Sequence, residues 1–143
     1  MPKRAPSKKE FETLSEFRYR LRRFLRFSEQ VTRRHGITPL QYLLLLHVKG
    51  FPGRNWATVG ELAERLQAQH HGVVALSSRC EKLGWVERRH GQTDRRAVEV
   101  HLTAGGERMA AKMAQLHRDE HLNPAGSFLL PQLHDLQEGW GCP

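Results

Sequence analysis

The chain has 143 residues, a length for one compact domain, and carries 23 Lys and Arg against 15 Asp and Glu, a formal charge of +8. Such an excess fits an acidic partner, either nucleic acid or an anionic membrane surface, and no apolar run approaches the ~18–20 residues that span a bilayer. Cys80 and Cys142 form neither a CxxC pair nor a disulfide framework, and no apolar segment follows the basic start Met1-Pro2-Lys3-Arg4, so a reduced, cytoplasmic protein is expected.

Residues 1–9 hold two prolines and four cations with almost no apolar side chain, which predicts a mobile basic arm. From Glu10 the apolar positions Phe11, Leu14, Phe17, Leu21, Phe24, Leu25 and Val31 recur at spacings of three and four, one stripe of a long helix that Gly36 closes. Thr38 and Pro39 restart a helix as N-cap and first-turn proline; its body, Leu40 to Val48, is apolar nearly all round and is expected to be central and buried. Residues 50–55 read as a loop.

Thr58-Val59-Gly60-Glu61 fits a capping box opening a short helix that ends near Gln67. A further helix, from about Gln69 to Leu83, buries Val73, Leu76, Cys80 and Leu83, and Gly84 stops it. The period then changes from 3.6 to two, so residues 85–89 and 97–102 read as strands joined by a polar tip at residues 90–96. Thr103 starts a long helix with Met109, Met113 and Leu116 on one face, residues 123–126 break it, and a last apolar helix spans about 127–136 before a frayed tail at 137–143.

Helix, tight turn, second helix and a hairpin with a cationic tip make a winged helix-turn-helix, with Leu62, Leu66, Ala68, Val73 and Leu76 buried and small Ala63 at the helix crossing. The turn often carries glycine, and Gln67 stands there instead. The fold class is therefore mainly α with a small β hairpin: a dimerisation helix at 10–36, a winged domain at 37–102 and C-terminal dimerisation helices at 103–136. The second helix suits the major groove of duplex DNA, and the hairpin tip suits the adjacent minor groove.

The runs Val59-Gly60-Glu61-Leu62-Ala63-Glu64-Arg65-Leu66, Glu81-Lys82-Leu83-Gly84-Trp85-Val86-Glu87-Arg88, and Asp94 to Gly106 with its Leu102-Thr103 ending resemble the MarR family of bacterial transcriptional regulators over about residues 10–122. The resemblance implies a homodimer that binds a near-palindromic operator, usually as a repressor, and releases it when a small aromatic or anionic molecule, an oxidant or a metal arrives. By the same resemblance Arg96 enters the minor groove, with Asp94 holding its guanidinium. The alternative is a surface ion pair that merely closes the hairpin.

The residues place the other contacts. Arg95 meets a phosphate, and Gln92 joins it on the tip. On the helix face opposite Val73, Leu76 and Cys80 stand His71, Gly72, Val74, Ala75, Ser78 and Arg79. Val74 and Ala75 suit thymine methyls, and Arg79 suits a guanine or a phosphate. His70 and His71 either meet DNA or face water at the first turn. Phe11, Leu14 and Phe17, with Leu122, Phe128, Leu129 and Leu133, are expected at the dimer interface. The arginines of the first helix (Arg18, Arg20, Arg22, Arg23, Arg26) read as a solvated face rather than a second DNA footprint.

The resemblance also implies an organic effector where the dimerisation helices meet the winged domain, with Tyr42 as an aromatic wall, His47 as a polar handle, and Arg33 or Arg34 pairing an anionic group. His117 and His121, one helical turn apart, are the weaker rival as a metal site, and no metal or other cofactor is expected. Cys80 reads as an inert small hydrophobe. No Ser-His-Asp set, P-loop or dinucleotide fingerprint is present, so the chain is not expected to be an enzyme. The competing reading of another class is a winged-helix protein-interaction module without an operator.

Overall fold

Ser7 opens the first helix. Its hydroxyl accepts the Glu10 N–H at 3.2 Å while the Glu10 carboxylate accepts the Ser7 N–H at 3.1 Å, a reciprocal cap that Arg4 closes by pairing with Glu10. In this computed structural model, which describes residues 3–123, helix α1 therefore starts at Lys8 and runs to Arg34. The expected arm at residues 1–9 is shorter than the composition implied, because the cap recruits its last two residues into the helix. Helix α2 (Pro39–Lys49) begins on a second capping box, Thr38 with Gln41. Strand β1 (Trp56–Thr58) leads directly into α3 (Val59–Leu66), followed by α4 (His70–Lys82), β2 (Val86–His90), β3 (Val98–Leu102) and α5 (Ala104–Leu122). The expected last helix and tail lie outside the described residues.

The sheet has three antiparallel strands in the order β1-β3-β2, not the two of the expected hairpin. Trp56 faces His101 and Thr58 faces Glu99 on one side of β3; Val86 faces Leu102 and His90 faces Val98 on the other.

The chain divides into two compact units. One comprises Val31–Leu116 and contains the winged helix. Its core is Leu44, Leu45 and Val48 of α2, Leu62 of α3, Val73 and Cys80 of α4, Val86 and Val100 of the sheet and Met113 of α5, all essentially without solvent contact. Three burial expectations fail here. Leu83 is 52% exposed because α4 ends at Lys82 and Gly84, at φ 81°, turns the chain away. Ala68 is exposed, one residue past the left-handed turn. Helix α2 buries Tyr42, Leu44, Leu45 and Val48 but leaves Leu40 and Leu43 exposed, so it is two-faced rather than enclosed.

The other unit holds the residues up to Gln30 and those from His117 on. The His117 ring meets Phe24 and Phe27 edge-on, and its Nε2 lies 2.8 Å from Ser28 Oγ; His121 stacks on Phe24 at 4.8 Å. Phe17, Leu21 and Phe24 are half-buried, whereas Phe11 (57%), Leu14 and Leu25 are exposed along one flank of α1. No helix among the described residues is long and apolar enough to cross a membrane.

Candidate nucleic-acid interface

The start of α3 is fastened from three sides. Thr58 Oγ1 accepts the Glu61 N–H at 3.2 Å, and Glu61 accepts the Thr58 N–H at 2.9 Å. Arg54 pairs with the same carboxylate while its guanidinium lies 4.3 Å from the Phe51 ring centre and 4.0 Å from that of Trp56. Burial alone would raise the Glu61 carboxyl, but the Thr58 bonds and the Arg54 charge outweigh it and hold it below the ordinary carboxylate range. The sequence pointed to the cap. It gave no sign of the arginine, because the stacking partners come from a loop and from the unforeseen strand.

Gln67 adopts the left-handed conformation, φ 50° and ψ 48°, at the turn between α3 and α4. A non-glycine residue there costs roughly 1–2 kcal/mol. Its side chain offsets part of that by donating to the Glu64 carbonyl at 2.7 Å, while its backbone N–H bonds the Ala63 and Glu64 carbonyls. The turn thus keeps the tight geometry that glycine more often supplies.

Helix α4 buries Val73, Leu76, Ser77 and Cys80. Ser77, absent from the sequence expectation, satisfies its hydroxyl on the Val74 carbonyl at 2.9 Å. The opposite face presents His71, Gly72, Val74, Ala75 and Arg79 to solvent, with His70 at the first turn and Ser78 half-exposed. A Cβ at Gly72 would meet nothing within 4 Å, so the fold itself places no demand for glycine there. Gln69 caps α4 without a side-chain bond, which leaves the first-turn N–H groups pointing outward. Cys80 is fully buried and its thiol is pushed up to about 11, as expected of an inert hydrophobe.

The wing is locked to α4 by Glu81. Its carboxylate accepts the Arg88 backbone N–H at 2.9 Å and the Arg88 Nη2 and Nε at 3.1 and 3.3 Å. Sequence reasoning missed this clamp. Its only trace is an acid and a base seven residues apart across Gly84, which flank the helix-to-strand turn.

At the tip, Gly91 donates to the Ala97 carbonyl at 2.9 Å and approaches the Asp94 carbonyl so closely that a Cβ would stand 2.4 Å from it. Asp94 Oδ1 accepts the Arg96 backbone N–H at 3.0 Å. This corrects both readings of the pair: Asp94 shapes the turn through the backbone, and among the described residues no carboxylate engages the Arg96 guanidinium. Gln92, Arg95 and Arg96 are exposed.

A groove of about 330 Å³ separates α4 from the wing, bordered by His70 and Val74 on one wall and by Arg88, Asp94, Arg96 and Val98 on the other. Four of the ten residues singled out for DNA, His70, Val74, Asp94 and Arg96, thus line one groove.

The four effector candidates differ in exposure. Tyr42 is 3% exposed inside the core, and burial raises its hydroxyl pKa. His47 is half-buried; burial, then the Arg65 cation, lowers its pKa. Arg33 and Arg34 are exposed in the last turn of α1. The groove between α4 and the wing includes none of the four. His117 is committed to Ser28 and two phenyl rings, and among the described residues no three potential metal ligands converge. Leu122 is 74% exposed; Phe128, Leu129 and Leu133 lie outside the described residues.

The sequence of residues 35–97 matches the model of the MarR family. The HTH-type transcriptional repressor MdtR of Bacillus subtilis is 30% identical over 74 residues, 52% of this chain and 46% of that one, so the match spans about half the relative. Among solved structures, AbsC, a MarR family transcriptional regulator from Streptomyces coelicolor, superposes with a TM-score of 0.72 at 20% identity, covering 94% of this chain and 89% of the other. A mutant MarR from E. coli complexed with operator DNA superposes with a TM-score of 0.60 at 23% identity, covering 83% and 73%.

Proposed function

We propose that this chain, whose residues 35–97 match the model of the MarR family, is a transcriptional regulator of that family that binds a near-palindromic DNA operator as a homodimer. Members of this family are transcription regulators, not enzymes. The observation that carries the reading is the pairing of two exposed elements across one groove: the α4 face with Val74, Ala75 and Arg79, and the tip with Gln92, Arg95 and Arg96. Arg96 is available to DNA because Asp94 takes its backbone N–H and, among the described residues, no carboxylate engages its guanidinium. Helix α4 then enters the major groove, and the tip follows the adjacent minor groove.

The exposed flank of Phe11, Leu14 and Leu25, together with Leu122, supplies the apolar surface for dimerisation. Repression is the sign of regulation that the Bacillus subtilis relative supports. Release by a small organic effector belongs to the same reading. His47, held neutral at pH 7 by burial and Arg65, would offer a hydrogen bond rather than a charge.

The test is an equilibrium titration of the purified protein against the DNA upstream of its own gene, at several salt concentrations. A dimer that neutralises roughly 6–10 phosphates gives a log–log slope of about −5 to −9. Arg96→Ala is expected to weaken binding by about 1–3 kcal/mol while its melting curve stays within ~0.5 kcal/mol of wild type. Unchanged affinity in that variant, or a stable monomer at micromolar concentration by sedimentation with binding intact, would overturn the assignment.

A further inference from the structure

The arginines of α1 were expected to be a solvated face, and their surroundings argue otherwise. Residues 17–28 contain five arginines and no acidic side chain. The acids of the helix's N-terminal half are already taken: Glu10 by Arg4, Glu12 by Lys8 at 3.9 Å, and Glu16 by Arg20 at 2.8 Å. Arg22, Arg23 and Arg26 are exposed and meet no carboxylate among the described residues. A merely solvated charged face on a helix usually interleaves the two signs at i and i+4, and between Phe17 and Ser28, before the next acid at Glu29, this one does not.

The three arginines also share a side. At 3.6 residues per turn, Tyr19, Arg22, Arg23 and Arg26 fall on one strip of the helix surface. Tyr19 is 55% exposed, and the Arg23 guanidinium lies 5.6 Å from its ring centre. The apolar flank of Phe11, Leu14 and Leu25 lies about a quarter-turn away, from the same spacing. Covering that flank in a dimer leaves the cationic strip open.

We infer that this strip of α1 is a second nucleic-acid surface, which holds the phosphate backbone of duplex DNA without reading sequence. The chemistry favours phosphodiesters because guanidinium forks bind them in two-point fashion, and a cluster of like charges on a helix side positions a backbone rather than specifying a base. A membrane surface fits less well. A helix lying in a bilayer interface needs a free apolar face opposite its cations. Here Phe24 and Phe27 on the far side are packed against His117 and His121.

The probe is a random-sequence 24-base-pair duplex, titrated by fluorescence anisotropy into the full-length protein between 50 and 200 mM salt. Three proteins are compared: wild type, the triple variant Arg22→Gln, Arg23→Gln, Arg26→Gln, and Arg96→Ala. Each neutralised phosphate contributes about 0.9 to the slope, so for each protomer whose strip is engaged the triple variant should be shallower by about 2–3, on the order of a 40-fold smaller loss of affinity across that range. The corresponding triple lysine variant should recover the slope, which separates charge from helix stability. Sedimentation and circular dichroism should match wild type throughout.

The result is independent of the winged helix, since Arg96→Ala reports that surface separately. A slope in the glutamine variant within one of wild type would refute the inference. So would loss of binding to phosphatidylserine vesicles alongside an unchanged DNA slope, which would make the strip a membrane surface.

Discussion

Two adjacent glycines at the start of α5 should respond to alanine with opposite signs. A Cβ on Gly106 would stand 1.9 Å from the Trp85 carbonyl oxygen, against a floor near 3.0 Å, so chain and carbonyl must part by about an ångström. That oxygen accepts the Thr103 N–H at 3.0 Å, and the Gly106 N–H itself bonds Thr103 Oγ1 at 3.0 Å, so the displacement loosens the cap of α5 as well. Overpacking against backbone costs about 1–3 kcal/mol and a weakened hydrogen bond ~1, while alanine returns roughly 0.5–1 in helix propensity. Gly106→Ala is therefore expected to lose about 2–3 kcal/mol. At Gly105 the nearest atom to an added Cβ is the Gly84 carbonyl oxygen at 3.4 Å, which a small adjustment absorbs, so Gly105→Ala should gain about 0.5 kcal/mol. Urea unfolding of both variants at one protein concentration decides the matter. A Gly106→Ala protein as stable as wild type would refute the close approach of Trp85 and with it the described join between sheet and helix.

Glu81→Gln should destabilise by about 1 kcal/mol at pH 7, discounted for an acid more than a third exposed. The Arg88 side chain, then its backbone N–H, depresses the Glu81 carboxyl below its ordinary 4.5. Its contribution is thus complete above that value and is lost as the pH falls through the folded pKa. The gap between wild type and variant should shrink as the pH falls below 4.5 and through the folded pKa, and a gap constant from pH 7 to 3 would contradict the clamp. With Cys142 replaced by serine, the buried Cys80 thiol, pushed up to about 11, should resist iodoacetamide at pH 8 until urea unfolds the chain. Rapid, complete labelling without denaturant would show that the core of the winged unit opens locally.

What the sequence revealed was local chemistry. The caps at Thr38 and Thr58 use partners three residues on, and the switch from a period of 3.6 to one of two at Gly84 needs no knowledge of the rest of the chain. The outward face of α4 followed from the spacing of Val73, Leu76 and Cys80. What stayed hidden depends on distant partners. Strand β1 has three residues, too few for alternation to register, and exists because β3 offers it hydrogen bonds. Leu83 continues the apolar period of α4, but the helix stops one residue short of it. The Asp94–Arg96 spacing suited a carboxylate and a guanidinium, and only the turn geometry shows that the backbone N–H took the acid first. Tyr42 is enclosed, and an aromatic in an apolar run gives no clue to which side of the helix is buried.

The middle position of β3 sets the order in which the winged unit can come apart. Strand β1 is a short edge: it can peel away and leave the β2–β3 hairpin whole, because that ladder is closed by a local turn. Strand β3 has no such freedom, since removing it breaks both ladders together. Amide exchange should therefore rank the strands, with the β3 protons that bond β2 outlasting those that bond β1. The same asymmetry applies as the chain assembles. The hairpin closes a short loop, whereas β1 must find residues 99–101 from 56–58 and waits on a far larger loss of chain entropy. The wing should be an early piece of the folding chain, and the joint that seats it beside α3 one of the last to form.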